Sequence, residues 1–208
     1  MARVMAATGD GGELTDVSAA ALQTLHGLMA LDDEWIVYVR PSIGADRPAF
    51  VAAHPAFGVC VIVVENWAVG EHRQSTDGRV EQRTTAADGQ GGWAPIEEYP
   101  RDTAARIRQA VVDLIDTERR PDPGLVRAIV VLPHYTTAQA CSLLRRPQMI
   151  GHDTWIKVWG GQALFDDAAC VVTGHPRPTP RSVPAASLDA LHRHCIRDAA
   201  ARAEVSRA

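Results

Sequence analysis

Val59-Cys60-Val61-Ile62-Val63-Val64 is the longest β-branched run in the chain. A strand apolar on both faces belongs in the middle of a sheet that is covered on both sides, the condition met by α/β folds. Residues 47–53 lead towards this run as a partner strand, and His54-Pro55-Ala56-Phe57-Gly58 reads as the tight turn between them. The run stops at Glu65-Asn66-Trp67, where polarity returns. The end of a buried strand is where α/β folds place much of their chemistry, so Glu65 is the first candidate site residue.

The rest of the chain supplies layers for such a sheet. Val17, Ala20, Ala21, Leu25 and Leu28 recur at helical spacing, with Asp16 or Ser18 as N-cap. Residues 35–40 read as a strand and 79–85 as an exposed, alternating one. Residues 87–92 are Gly-rich and read as a flexible loop; they do not form the spacing of a phosphate cradle. Pro95 is expected to open a long helix, firmest over 103–119, with Ile107, Ala110, Val111, Leu114 and Ile115 as its apolar stripe. Strands are expected at 127–132 and 155–159, and helices from Thr136 or Thr137 to Arg145 and over 161–169. This order predicts an α/β fold with a central mixed β-sheet flanked by helices. The expected organisation is a flexible lead-in over 1–15, an α/β domain over 16–173, a stiff Pro-rich linker over 174–184 and a C-terminal helix over 185–208. In that helix Leu188, Leu191, Cys195 and Ala199 form one apolar edge.

Composition excludes several classes. The net charge of −4 gives no global basic field to draw the chain to nucleic acid. Cys60, Cys141, Cys170 and Cys195 show no CxxC pairing, which fits free thiols in a reducing cytoplasm better than a disulfide framework. No apolar run has the length of a membrane span, so no membrane partner is expected and the chain reads as cytoplasmic. Among the basic residues there are 20 arginines and a single lysine, Lys157.

Over residues 16–169 the chain resembles the nuclease-related domain (NERD) family, a branch of the PD-(D/E)xK nuclease superfamily. The resemblance rests on several short words in order. Asp33-Glu34-Trp35 introduces a strand, His54-Pro55-Ala56-Phe57-Gly58 is close to the family's HPxxG turn, and Trp67 follows the next strand. Ile129-Val130-Val131-Leu132-Pro133 with its Thr-containing helix start, and Ile150-Gly151-His152-Asp153, follow later. The resemblance implies a restriction-endonuclease-like core. It also implies a site in which carboxylates hold Mg²⁺ or Mn²⁺ to activate water and a lysine assists. Carried over position by position, the family's metal-binding Asp falls on Ala49, its acid-x-Lys motif on Val63-Val64-Glu65, and its helix acid near Ser18 or Ala21. Every one of these positions departs from the pattern. The single lysine is an independent check, because the residue two before Lys157 is Trp155, so no (D/E)xK exists anywhere in the chain.

The expectation is therefore a nuclease-fold protein that has lost metal-dependent phosphodiester cleavage, needs no cofactor, and serves as a nucleic-acid-binding (DNA or RNA) or partner-binding module. The enzyme alternative is a nuclease with rearranged ligands, in which Asp46 and Glu65, helped by Glu97 or Glu98, hold Mg²⁺ or Mn²⁺. A third reading is a structural or oligomeric partner, with the C-terminal helix docking on another chain. Arg119, Arg120, Arg145 and Arg146 are candidate phosphate contacts if they share a face with Arg101, Arg106 and Arg108, although arginine at a helix end also complements the helix dipole. His54 is a candidate base or phosphate contact against a plain turn histidine. His192, His194 and Cys195 have partial metal spacing without a partner cluster. Cys141 lacks a visible base and reads as core. The five tryptophans read mostly as packing residues, with a base-stacking platform as the alternative.

Overall fold

A computed structural model describes residues 1–6, 17–85, 91–115, 123–145, 155–174 and 183–205. Its centre is a six-stranded mixed sheet in the order β1-β2-β3-β4-β8-β9. The strands are β1 (Arg3–Ala6), β2 (Ile36–Val39), β3 (Phe50–His54), β4 (Gly58–Val64), β8 (Val126–Leu132) and β9 (Ile156–Gly160). The apolar run is β4, and it is central: it pairs antiparallel with β3 and parallel with β8. Alternate β4 residues enter two separate cores. Val59, Val61 and Val63 pack on one face of the sheet and Cys60 and Ile62 on the other, all at most 6 % exposed. Burial also pushes the Cys60 thiol up to about 12, so it is a packing residue and no nucleophile.

The first face is covered by α2 (Pro100–Ile115), α3 (Thr137–Leu143) and α5 (Ala185–Val205). The second is covered by α1 (Ala19–Leu28) and α4 (Gly161–Thr173). Ser18 caps α1 by accepting from the Ala21 N–H, and Thr136 caps α3 in a reciprocal capping box with Gln139. Gly174, in the left-handed region at φ 71°, ends α4 four residues later than periodicity predicts. At the β3–β4 turn Gly58 has φ 92°, and a Cβ there would lie 2.3 Å from the Leu125 carbonyl oxygen. Only glycine fits that corner.

A second, three-stranded antiparallel sheet stands apart as a wing between β4 and α2: β5 (His72–Gln74), β6 (Val80–Thr85) and β7 (Gly91–Pro95). It is anchored by Val80, which enters the first core, and by the Trp67 ring stacked on His72 at 4.1 Å. Its outer residues are mostly exposed.

Several expectations need correction. Residues 3–6 of the supposed lead-in form strand β1, parallel to β2. Gly91 and Gly92 belong to β7 and not to a flexible loop, and Pro95 ends that strand; the helix begins at Pro100, where a proline costs no hydrogen bond. The α5 edge expected to serve another chain is covered by its own, with Leu191 and Cys195 fully buried in the first core and Leu188 packed against it. The Ser187 hydroxyl donates to the Ile115 carbonyl and the Val183 N–H to the Pro55 carbonyl, which tie the start of the helix down. Cys141 is exposed, its thiol 3.4 Å from the Val158 carbonyl oxygen, and is not a core residue. Among the described residues no helix is long and apolar enough to cross a membrane.

Candidate functional site

Glu65 continues β4 by one residue, its N–H donating to the Val131 carbonyl at 3.0 Å. Alternation along the strand puts it on the same side as Val63, towards α2. There it lines a cleft of about 380 Å³ at the end of the sheet. α1 contributes Ser18 and Ala21, the β2–β3 connection Arg40, Asp46, Arg47 and Ala49, β4 Val63, and the start of α2 Glu98, Thr103 and Ile107. Residues that lie far apart in sequence meet here because β2, β3 and β4 are adjacent and α1 and α2 approach from opposite faces.

Two of the acids lining the cleft, Asp46 and Glu98, are already paired. The Arg106 guanidinium holds Asp46 through two hydrogen bonds, 2.8 Å from Nε and 2.7 Å from Nη2, and the same Nη2 lies 2.6 Å from Glu98 Oε1. Arg106 pulls the carboxyls of Asp46 and Glu98 below the usual carboxylate range, and they raise its own pKa in return. Glu65 lacks such a cation. Burial, with the negative charge of Glu98 adding to it, pushes its carboxyl up to about 7, against a hydrogen bond from Trp67 that works the other way. At neutral pH Glu65 is therefore divided between an acid that donates and a carboxylate that accepts.

Arg40 adds a further sign of constraint. It is the only non-glycine residue with positive φ among the described residues, at 49°, and its N–H donates to the Ala49 carbonyl at 2.9 Å. A side chain in the left-handed region carries a conformational cost that the surrounding structure must overcome, and such residues concentrate at binding sites.

The cleft does not fit a divalent cation. Ala49 and Val63 offer no ligand atom, and Asp46 and Glu98 direct oxygens to Arg106, whose positive charge already balances them. Among the described residues the ligand atoms that do converge, within 4.8 Å, belong to Asp32, Glu34 and His54 at the opposite end of β3. His54 is 2 % exposed, beneath the rings of Trp35 and Phe57. Its Nε2 is 3.1 Å from Glu34 Oε2 and 3.9 Å from Asp32 Oδ1, near enough for attraction but misaligned for a hydrogen bond. The ring's Nδ1 accepts the Ala56 N–H at 2.9 Å, so the neutral ring carries its proton on Nε2, the atom a metal would need bare. This corner is a turn staple and not a metal centre.

The remaining candidates scatter. Arg119, Arg120 and Arg146 lie outside the described residues. Arg145 ends α3, its carbonyl accepting from Gln74 of the wing. Arg101, Arg108 and Arg127 donate to the carbonyls of Leu144, Val126 and Phe57, so they brace the fold. His192 pairs with the Tyr38 hydroxyl and His194 with the Ser42 carbonyl, while Cys195 is buried, so these three do not converge on one point. Trp93 is the most exposed tryptophan among the described residues, with the Arg73 guanidinium 4.3 Å above its ring and Arg73 itself paired to Glu81. Sequence reasoning found Glu65 and Asp46 but missed Arg106 as the cation that joins Asp46 to Glu98. The missing signal is tertiary, because the Asp46–Arg106 contact spans 60 residues.

Comparison with family models, with curated proteins and with solved structures returns no match.

Proposed function

We infer that this protein is a non-cleaving relative of the nuclease-related domain family, built on a restriction-endonuclease-like core and working as a module that binds a nucleic-acid strand or a protein partner. One observation carries the reading: the positions to which the family's acids and acid-x-Lys motif correspond (Ser18 or Ala21, Ala49, Val63 and Glu65) line one cleft, where an arginine sits between the acids. The element order agrees with the resemblance, with α1, then β2, β3 and β4, then α2, β8 and α3. The family positions Ala49 and Val63 offer no ligand for a water-activating metal, and a guanidinium fixed between two carboxylates contributes charge balance and no nucleophile. What remains is recognition. Arg47 is exposed at the rim, so the mouth of the cleft offers a cation to a phosphate while Asp46 and Glu98 are neutralised by Arg106.

Incubation with Mg²⁺ or Mn²⁺ and single- or double-stranded oligonucleotides tests the first half: no cleavage is expected, and cleavage that Glu65→Ala abolishes would overturn the reading. Fluorescence anisotropy with labelled oligonucleotides tests the second half. Binding that weakens with salt and with Arg47→Ala supports a nucleic-acid ligand, and no binding leaves the protein partner. The enzyme alternative has one observation in its favour, that Asp46, Glu65 and Glu98 share the cleft. It requires Arg106 to release two of them.

A further inference from the structure

A second recess lies at the opposite end of β2 and β3 from the Glu65 cleft and shares no residue with it. It is a groove of about 730 Å³, within the range of small-molecule sites. Ile36, Tyr38 and Ala53 of β2 and β3 line its floor. Leu188 and His192 of α5 form the wall.

Two features specify the chemistry of an occupant. The first is a rigid floor, in which Tyr38 is buried. The Tyr38 and His192 rings are 5.9 Å apart and inclined at 59°, and the Tyr38 hydroxyl lies 2.9 Å from His192 Nδ1, which holds both rings in place. Burial raises the phenol's pKa, so Tyr38 stays neutral. The second is charge. Asp33, Glu34 and Asp189 stand at the rim against one cation, Arg3, and among the described residues Asp33 and Asp189 have no ion-pair partner. The contrast with the Glu65 cleft, where the acids are tied to Arg106, is direct. An apolar lining with an excess of rim carboxylates, two of them without an ion-pair partner among the described residues, is the combination that recognises an organic ammonium ion, through apolar contact and ion pairing together.

We propose that this groove binds a small organic cation, a primary amine carried on an aromatic or aliphatic body, with the body on Ile36, Ala53 and Leu188 and the ammonium towards Asp189 and Glu34. The site does not depend on the nuclease-like reading of the other cleft.

The test uses the full chain with tryptamine, and with indole-3-propionate as a probe of the same ring and opposite charge. Titrations are followed by ¹H–¹⁵N correlation spectra and calorimetry at pH 7.5. Tryptamine is expected to shift the amides of Ile36, Ala53 and Leu188 saturably, and the acid to leave them in place. Asp189→Asn, at an exposed position, should weaken tryptamine about two- to fivefold, and Arg3→Gln should tighten it. The proposal is overturned if the acid binds as well as the amine, if tryptamine shifts none of these amides, or if both variants leave its affinity unchanged.

Discussion

The two ends of the β3–β4 hairpin solve opposite electrostatic problems. At the Glu65 end an acid is buried near another acid, and the one strong cation, Arg106, is shared between Asp46 and Glu98. At the His54 end a base is buried near two exposed acids, and a backbone N–H fixes its tautomer. The first end keeps an unsettled proton at neutral pH, whereas the second is locked by local geometry. Functional potential follows from this difference: Glu65 can respond to a ligand by changing its protonation state, and the His54 ring holds the turn.

The largest effect should come from attacking the locked end. Gly58→Ala places a Cβ against the Leu125 carbonyl at an unfavourable φ, and should lower stability by roughly 2–4 kcal/mol in urea unfolding. A loss below about 0.5 kcal/mol would show that the corner relaxes and the staple is weaker than its geometry implies.

Glu65 gives the next effect, and its sign separates the two ends. Its folded pKa, about 7, is raised from the ordinary 4.5, so between those values the folded state holds a proton that the unfolded chain has released. Its contribution is therefore fully present below pH 4.5 and lost as pH rises through about 7, by about 2–3 kcal/mol. Glu65→Gln should flatten that part of the profile and unfold at higher urea than the parent at pH 8. An unchanged profile would mean that Glu65 is solvated and the cleft electrostatically ordinary.

His54→Ala should cost about 2 kcal/mol, through the cavity between Trp35 and Phe57 and the stranded Ala56 N–H, without altering any property of the distant cleft. Coupling between this variant and Glu65→Gln in a double-mutant cycle would contradict the independence of the two ends.

The smallest change in stability should come from Arg106→Ala, which is exposed, and its readout is ionisation. The carboxyls of Asp46 and Glu98 should titrate higher, and Mn²⁺ should broaden amides around Glu65 in the variant and not in the parent. Equal broadening in both would show that the arginine does not block a cation.

Much of the architecture was legible because it is local. β-branching and a polar break announced β4, and the cap candidates Asp16 or Ser18 and Thr136 or Thr137 announced α1 and α3, whereas the end of α4 at Gly174 was placed four residues early. The wing was only half legible. Asp77-Gly78 is a strong hairpin signal between β5 and β6, with Gly78 at φ 83°, but three residues as short and polar as β5 carry no hydrophobic period. β1 was hidden for a related reason: an edge strand of four residues is specified by its partner more than by its own composition.

By itself, the sequence determined that β4 is central, that the chain contains no acid-x-Lys motif, and that Glu65 stands at the mouth of the strand. These depend on residue type and on spacing within a few positions. Only the tertiary structure decided that Asp46 and Glu98 are held by Arg106, that α5 covers its own sheet, and that Asp33 and Asp189 of the groove have no ion-pair partner among the described residues. Charge pairing is set by distance in space, and here the partners are brought together by strand order.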